Sequence, residues 1–114
     1  MGMGINQYDI VLVDLHVSEQ LLGTGAEIRK QRPCVVISPD VMNLYLRTVV
    51  VAPMTTKSRP FPTRIRVRHN KKTGWIIMDQ IRTVDRQRIV RKLDKLTNPE
   101  IRKLKNVIRE TYVD

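Results

Sequence analysis

Thr63-Arg64-Ile65-Arg66-Val67-Arg68 alternates small polar or cationic residues with apolar ones, and beyond His69-Asn70-Lys71-Lys72-Thr73-Gly74 the chain turns apolar again in Trp75-Ile76-Ile77-Met78-Asp79-Gln80-Ile81. A period of two marks an extended strand with one buried face, so Ile65 and Val67 belong to a core and the three arginines to water. The polar residues between the two runs form a turn. Together they read as an antiparallel hairpin, with one wet, cationic face.

Upstream of the hairpin, Pro60 and Pro62 stiffen the approach and Met54-Thr55-Thr56-Lys57-Ser58 is a polar turn. Arg47-Thr48-Val49-Val50-Val51-Ala52 before it is a buried strand ended by Pro53, which cannot donate to a central ladder. Pro39-Asp40 opens a short segment, Val41 to Leu46, of one or two helical turns, with Asp40 as its N-cap. Pro33 to Ser38 forms a second strand and Tyr8-Asp9-Ile10-Val11-Leu12-Val13-Asp14-Leu15 a first, both rich in β-branched residues. His16 to Arg32 has no strand pattern and is long for a connection in a compact domain, the mark of a functional or mobile loop.

Downstream, Arg82 to Lys95 is a basic band holding a last short strand, Arg88 to Leu93. Thr97-Asn98-Pro99-Glu100 matches a capping box, and Ile101, Leu104, Val107, Ile108 and Tyr112 recur at spacings of three and four behind it. The whole predicts a mainly β chain of five or six short strands closing into a small, partly open SH3-like barrel. A C-terminal helix packs on it, and a short helix follows the second strand. Residues 1–114 are expected to form a single domain.

The chain has 114 residues and a net charge of +10, unevenly placed. Residues 1–57 hold five basic and five acidic residues, whereas residues 58–114 hold sixteen and six, so the second half carries the whole excess. Such a field fits a polyanion, nucleic acid before membrane. With one Phe, one Trp and three Tyr, an extensive base-stacking platform is disfavoured, so binding leans on charge and hydrogen bonds. The lone Cys34 lies in an apolar run, which leaves no disulfide framework and fits a reduced, cytoplasmic setting. His16 and His69 are not at ligand spacing, no phosphate-binding glycine motif occurs, and no apolar run is long enough to span a bilayer. Neither a metal, a cofactor nor a membrane is expected.

What remains is a set of polar residues at strand ends: Glu27 and Arg32, Thr55, and then Asp79, Gln80 and Arg82. Glu27 and Arg32 lie within a glycine-containing run, Gly23 to Pro33, in which Arg29 and Lys30 add charge. RNA carries its own nucleophile, the 2′-hydroxyl, so cutting it needs a proton acceptor, donors aimed at the phosphorane and a positioned leaving group. Arg32 suits the phosphate, or else forms a structural salt bridge to Glu27 or Asp79. Glu27 suits the base, or is a solvated loop acid. Thr55 either donates to the phosphate or stabilises its turn, and Asp79 with Gln80 either serves the site or is a buried polar pair holding loops in place.

Four ordered blocks resemble those of the MazF/PemK toxins: Tyr8 to Leu15; Glu27 with Arg32-Pro33-Cys34-Val35-Val36; Val51-Ala52-Pro53-Met54-Thr55; and Asp79-Gln80-Ile81-Arg82-Thr83-Val84-Asp85. The resemblance spans nearly the whole chain. It implies a barrel homodimer that cuts single-stranded RNA at short sequences without metal, leaving a 2′,3′-cyclic phosphate and a 5′-hydroxyl, until an acidic, MazE-like antitoxin with a disordered tail blocks the groove. It also implies phosphate chemistry for Arg32 and Thr55 and a catalytic role for Glu27, with Arg29, Lys30, Arg64, Arg66, Asp79, Gln80 and Arg82 binding RNA or supporting the site. One branch of the family adds an arginine where this chain has Ile77 and a histidine where it has Ala26, so the proton acceptor stays open. Two other classes remain: a non-catalytic toxin that grips a protein such as gyrase, as the similar-looking CcdB toxins do, and a basic structural nucleic-acid-binding domain.

Overall fold

The computed structural model describes residues 4–17, 28–57 and 61–113, without the side chains of residues 16, 17, 28 and 29. Its strands are β1 (Asp9–Val17), β2 (Ile28–Val36), β3 (Thr48–Thr55), β4 (Arg64–His69), β5 (Lys72–Ile77), β6 (Arg82–Asp85) and β7 (Ile89–Lys95). Its helices are α1 (Asp40–Tyr45) and α2 (Asn98–Ile108), the latter running on as a wider π turn, Arg109–Val113. Every pairing is antiparallel, in the order β4-β5-β3-β2-β1-β7, with β6 added on β3. The sheet curls into a half-barrel, as the pattern predicts.

β1, β3 and the Cys34–Val36 end of β2 are largely apolar because both faces of the sheet are covered there. Val11, Val13, Cys34, Val36, Val49, Val51 and Val84 fill one side. Their neighbours Ile10, Val35, Ala52 and Met54 fill the other, against Ile65, Val67 and Ile76 of the hairpin and Leu104 of α2. Ile101, Val107 and Ile108 pack on the same cluster, so the helical stripe faces the sheet. Both halves of the capping box form: Thr97 Oγ1 accepts from Glu100 N–H at 3.4 Å and Glu100 Oε1 accepts from Thr97 N–H at 2.9 Å. The π turn is tied down by Tyr112 Oη, which donates to Met78 O at 2.6 Å.

Several boundaries differ from the sequence expectations. Among the described residues there are seven strands, since Arg82 to Asp85 pairs with Thr48 to Val51 and a 3-10 turn, Arg86–Arg88, separates it from β7. The connection expected from His16 to Arg32 is shorter: β1 and β2 stay paired through Leu15↔Lys30 to Val17↔Ile28. Backbone pairing there holds a run too polar to read as a strand. The hairpin turn is only Asn70-Lys71, both at positive φ (51° and 62°), with His69 opposite Lys72. Asp40 is not the N-cap of α1; Pro39 stands there in extended geometry, and Asp40 Oδ1 accepts from Gln7 N–H at 2.7 Å instead.

Candidate active site in a cleft between two strands

Pro33 and Pro53 have no backbone N–H to give, and they sit where β2 and β3 part company. The last bridged pair is Cys34↔Pro53; beyond it Met54 and Thr55 pair with Ile76 and Trp75 of β5, while Arg32 stays paired with Val13 of β1. Carrying the β2–β3 register two residues further would set Arg32 opposite Thr55. The strands diverge around these two residues, and both line the resulting cavity of about 430 Å³. Lys30, Gln31 and Pro33 line it from β2, Met54 and Thr56 from the end of β3, and His69, Asn70, Lys72, Thr73 and Gly74 from the hairpin.

Arg32 also lines a second cavity of about 430 Å³, with Lys30, Leu15, Pro53, Gln80 and Arg82. Lys30 and Arg32 are therefore a shared wall. Arg82 pairs with Val51 and, like Arg32, lies close enough to the buried Cys34 thiol to favour its ionised form. Burial outweighs both guanidinia and pushes Cys34 up to about 12, so the thiol stays protonated and inert as a core residue.

Thr55 is half-buried, and its hydroxyl accepts from Lys57 N–H at 3.2 Å and also lies 3.2 Å from Lys57 O. The turn-stabilising role is thus real, and the hydroxyl still lines the cleft. Asp79 and Gln80 are not a buried pair. Both are exposed, in a 3-10 turn, Met78–Gln80, and Asp79 is held by other groups: Thr63 Oγ1 donates to it at 2.9 Å and Arg64 Nε at 3.2 Å. A short polar segment at a strand end stays in water when its bonds are made sideways, to the start of β4. The Arg64 hydrogen bond holds Asp79 below the usual carboxylate range, and the Arg64 guanidinium also lies over the Phe61 ring, 5.3 Å from its centroid. Asp79 therefore does not form the salt bridge considered for Arg32.

Arg66 is exposed on β4 opposite Trp75, which in turn faces Thr55, so Arg66 stands in the same cross-strand row as the cleft. Arg29 pairs with His16 through the backbone. Glu27 lies outside the described residues.

From the sequence, His69 is read only as part of the turn and as too isolated to hold a metal. It lines the Arg32–Thr55 cavity, and its Nδ1 lies 3.0 Å from Asp94 Oδ2 on β7. Nothing local announces that pair, because its members are brought together only by the hairpin folding back over the sheet. Among the described residues, no group of three or more His, Cys, Asp or Glu side chains is placed to hold a metal ion. No helix there is long and apolar enough to cross a membrane.

Residues 6–112 match the family described as PemK-like, MazF-like toxin of type II toxin-antitoxin system. The chain is 32% identical over 106 residues to an endoribonuclease MazF of Staphylococcus saprophyticus, covering 88% of this chain and 84% of that protein. Its fold is similar to that of MazF in the MazE–MazF complex from Deinococcus radiodurans, with a TM-score of 0.78, 19% identity and 96% of each chain covered. It is also similar to a mycobacterial endoribonuclease solved with its cognate antitoxin, with a TM-score of 0.75, 20% identity and coverage of 93% and 92%.

Proposed function

The chain belongs to the PemK-like, MazF-like toxin family of type II toxin-antitoxin systems, and from that premise we propose that it is an endoribonuclease toxin acting on single-stranded RNA in the cytoplasm. The observation that carries this reading is the meeting of Arg32 and Thr55, distant in sequence, on one cationic cleft. The guanidinium offers a planar fork of donors to the non-bridging phosphate oxygens, and the Thr55 hydroxyl adds a third donor as charge grows on the phosphorane. The 2′-hydroxyl attacks phosphorus and the 5′ oxygen departs, leaving a 2′,3′-cyclic phosphate and a 5′-hydroxyl. The RNA itself supplies the nucleophile, so the reaction has no need of a metal-activated water. Lys30, Arg66, Gln80 and Arg82 extend the cationic and hydrogen-bonding surface along which the strand runs, and Glu27 and Arg29 flank it in sequence.

The partner is an acidic antitoxin whose extended segment occupies the same cleft, attracted by the surplus of cations and ordered on binding. The toxin acts as a homodimer, as the family resemblance implies. Incubating the protein with RNA in EDTA tests the proposal. Discrete fragments are expected, with loss of about 10²- to 10³-fold in rate for Arg32→Ala and a smaller loss for Thr55→Val. Intact RNA, or equal cutting by Arg32→Ala, overturns it, and growth arrest with intact RNA points to a protein target instead.

A further inference from the structure

We infer that His69 is the proton acceptor of this reaction and that Asp94 is its positioning residue. The inference rests on the RNA-cleaving reading and adds what that reading lacks, a base that the described site contains. His69 ends β4 and lines the cavity that Arg32 and Thr55 line. On its other side, Nδ1 lies 3.0 Å from Asp94 Oδ2. A carboxylate there accepts a hydrogen bond from Nδ1–H, which fixes the neutral ring in the tautomer whose Nε2 carries a free lone pair. Asp94 is suited to this because it is held as a carboxylate: the Lys95 N–H at 2.8 Å, then the His69 bond, draw it below its ordinary range.

The other charged groups around the ring are placed for substrate rather than for proton transfer. Lys72 faces His69 across the hairpin, and Lys30 and Arg32 stand across the cavity. Glu100 of α2 is engaged by the neighbouring Arg68 N–H at 3.2 Å and by its own capping box. In the step itself, His69 Nε2 takes the proton of the ribose 2′-hydroxyl as that oxygen bonds to phosphorus. The P–O5′ bond breaks, the leaving oxygen takes a proton from water, and the imidazolium returns its proton to solvent. The products are the cyclic phosphate and the free 5′-hydroxyl, with the site restored.

Single-turnover cleavage of a short RNA in EDTA, alongside RNA binding and thermal melting, tests the inference with three variants. His69→Asn keeps an amide donor facing Asp94 and removes Nε2. It is expected to cut about 10²- to 10⁴-fold more slowly while binding RNA and melting as the parent protein does. His69→Ala is expected to be equally slow and to regain rate on addition of imidazole, which a merely structural histidine would not show. Asp94→Asn is expected to lower kcat and leave KM unchanged. Parent-like cutting by His69→Asn while Arg32→Ala is inactive removes His69 from the chemistry and leaves the ribonuclease reading standing. Loss of activity with no imidazole rescue, or only in step with weakened RNA binding or melting, likewise overturns the role. RNA left intact by the parent protein itself overturns the underlying reading, and the inference with it.

Discussion

Asp79 is exposed and bonded to its neighbours, so it forms no buried polar pair with Gln80. Its carboxylate is bonded to Thr63 and Arg64 and lies below its ordinary value of 3.8, chiefly through the Arg64 bond. A depressed folded value means that the unfolded chain binds the proton first as pH falls. The contribution is therefore fully present above the ordinary carboxylate value and is lost on acidification through it towards the lowered one. The site is more than a third exposed, so screening keeps the effect below about 1 kcal/mol. Melting of Asp79→Asn is expected to be slightly lower at neutral pH and to converge with the parent in acid, with little effect on RNA cutting. Arg32 and Thr55 stood out in the chain because each is a polar residue within two positions of a proline at one end of an apolar run, although both strands run on through those prolines. Asp94 and His69 did not, since pairing them requires the folded positions of two strands that are not sheet neighbours.

At the level of elements, the capping box and the apolar stripe of α2 were readable because both are local patterns with fixed spacing. Thr97→Ala removes the hydroxyl that receives Glu100 N–H and is expected to cost about 1 kcal/mol. Leu104→Ala, at a fully buried position, is expected to cost about 2–5 kcal/mol, and denaturant melting of the two variants measures both. The polar ends of β1 and β2 escaped sequence reading for the opposite reason. Ladder hydrogen bonds, which carry no side-chain pattern, hold Lys30 and Gln31 in strand. The turn at Asn70-Lys71 was hidden likewise, because a lysine at positive φ lacks the glycine that announces such turns.

Over the whole molecule, the cationic surplus of the second half meets a cleft whose wall, Lys30 and Arg32, comes from the electrically balanced first half. RNA affinity is expected to fall steeply with added salt, with log K linear in log salt, and a filter-binding titration checks the slope. Single-cation variants such as Arg66→Ala are expected to shallow that slope by roughly 0.7, the single-strand increment for one phosphate. The absence of an amide hydrogen at Pro33, which would otherwise donate towards Met54, gives this arrangement its durability. A zip missing a tooth on one tape resists being drawn shut past that point. The gap beside Arg32 and Thr55 thus begins at a covalent feature of β2, and restoring the tooth with Pro33→Val would invite the sheet to knit itself closed over that pair.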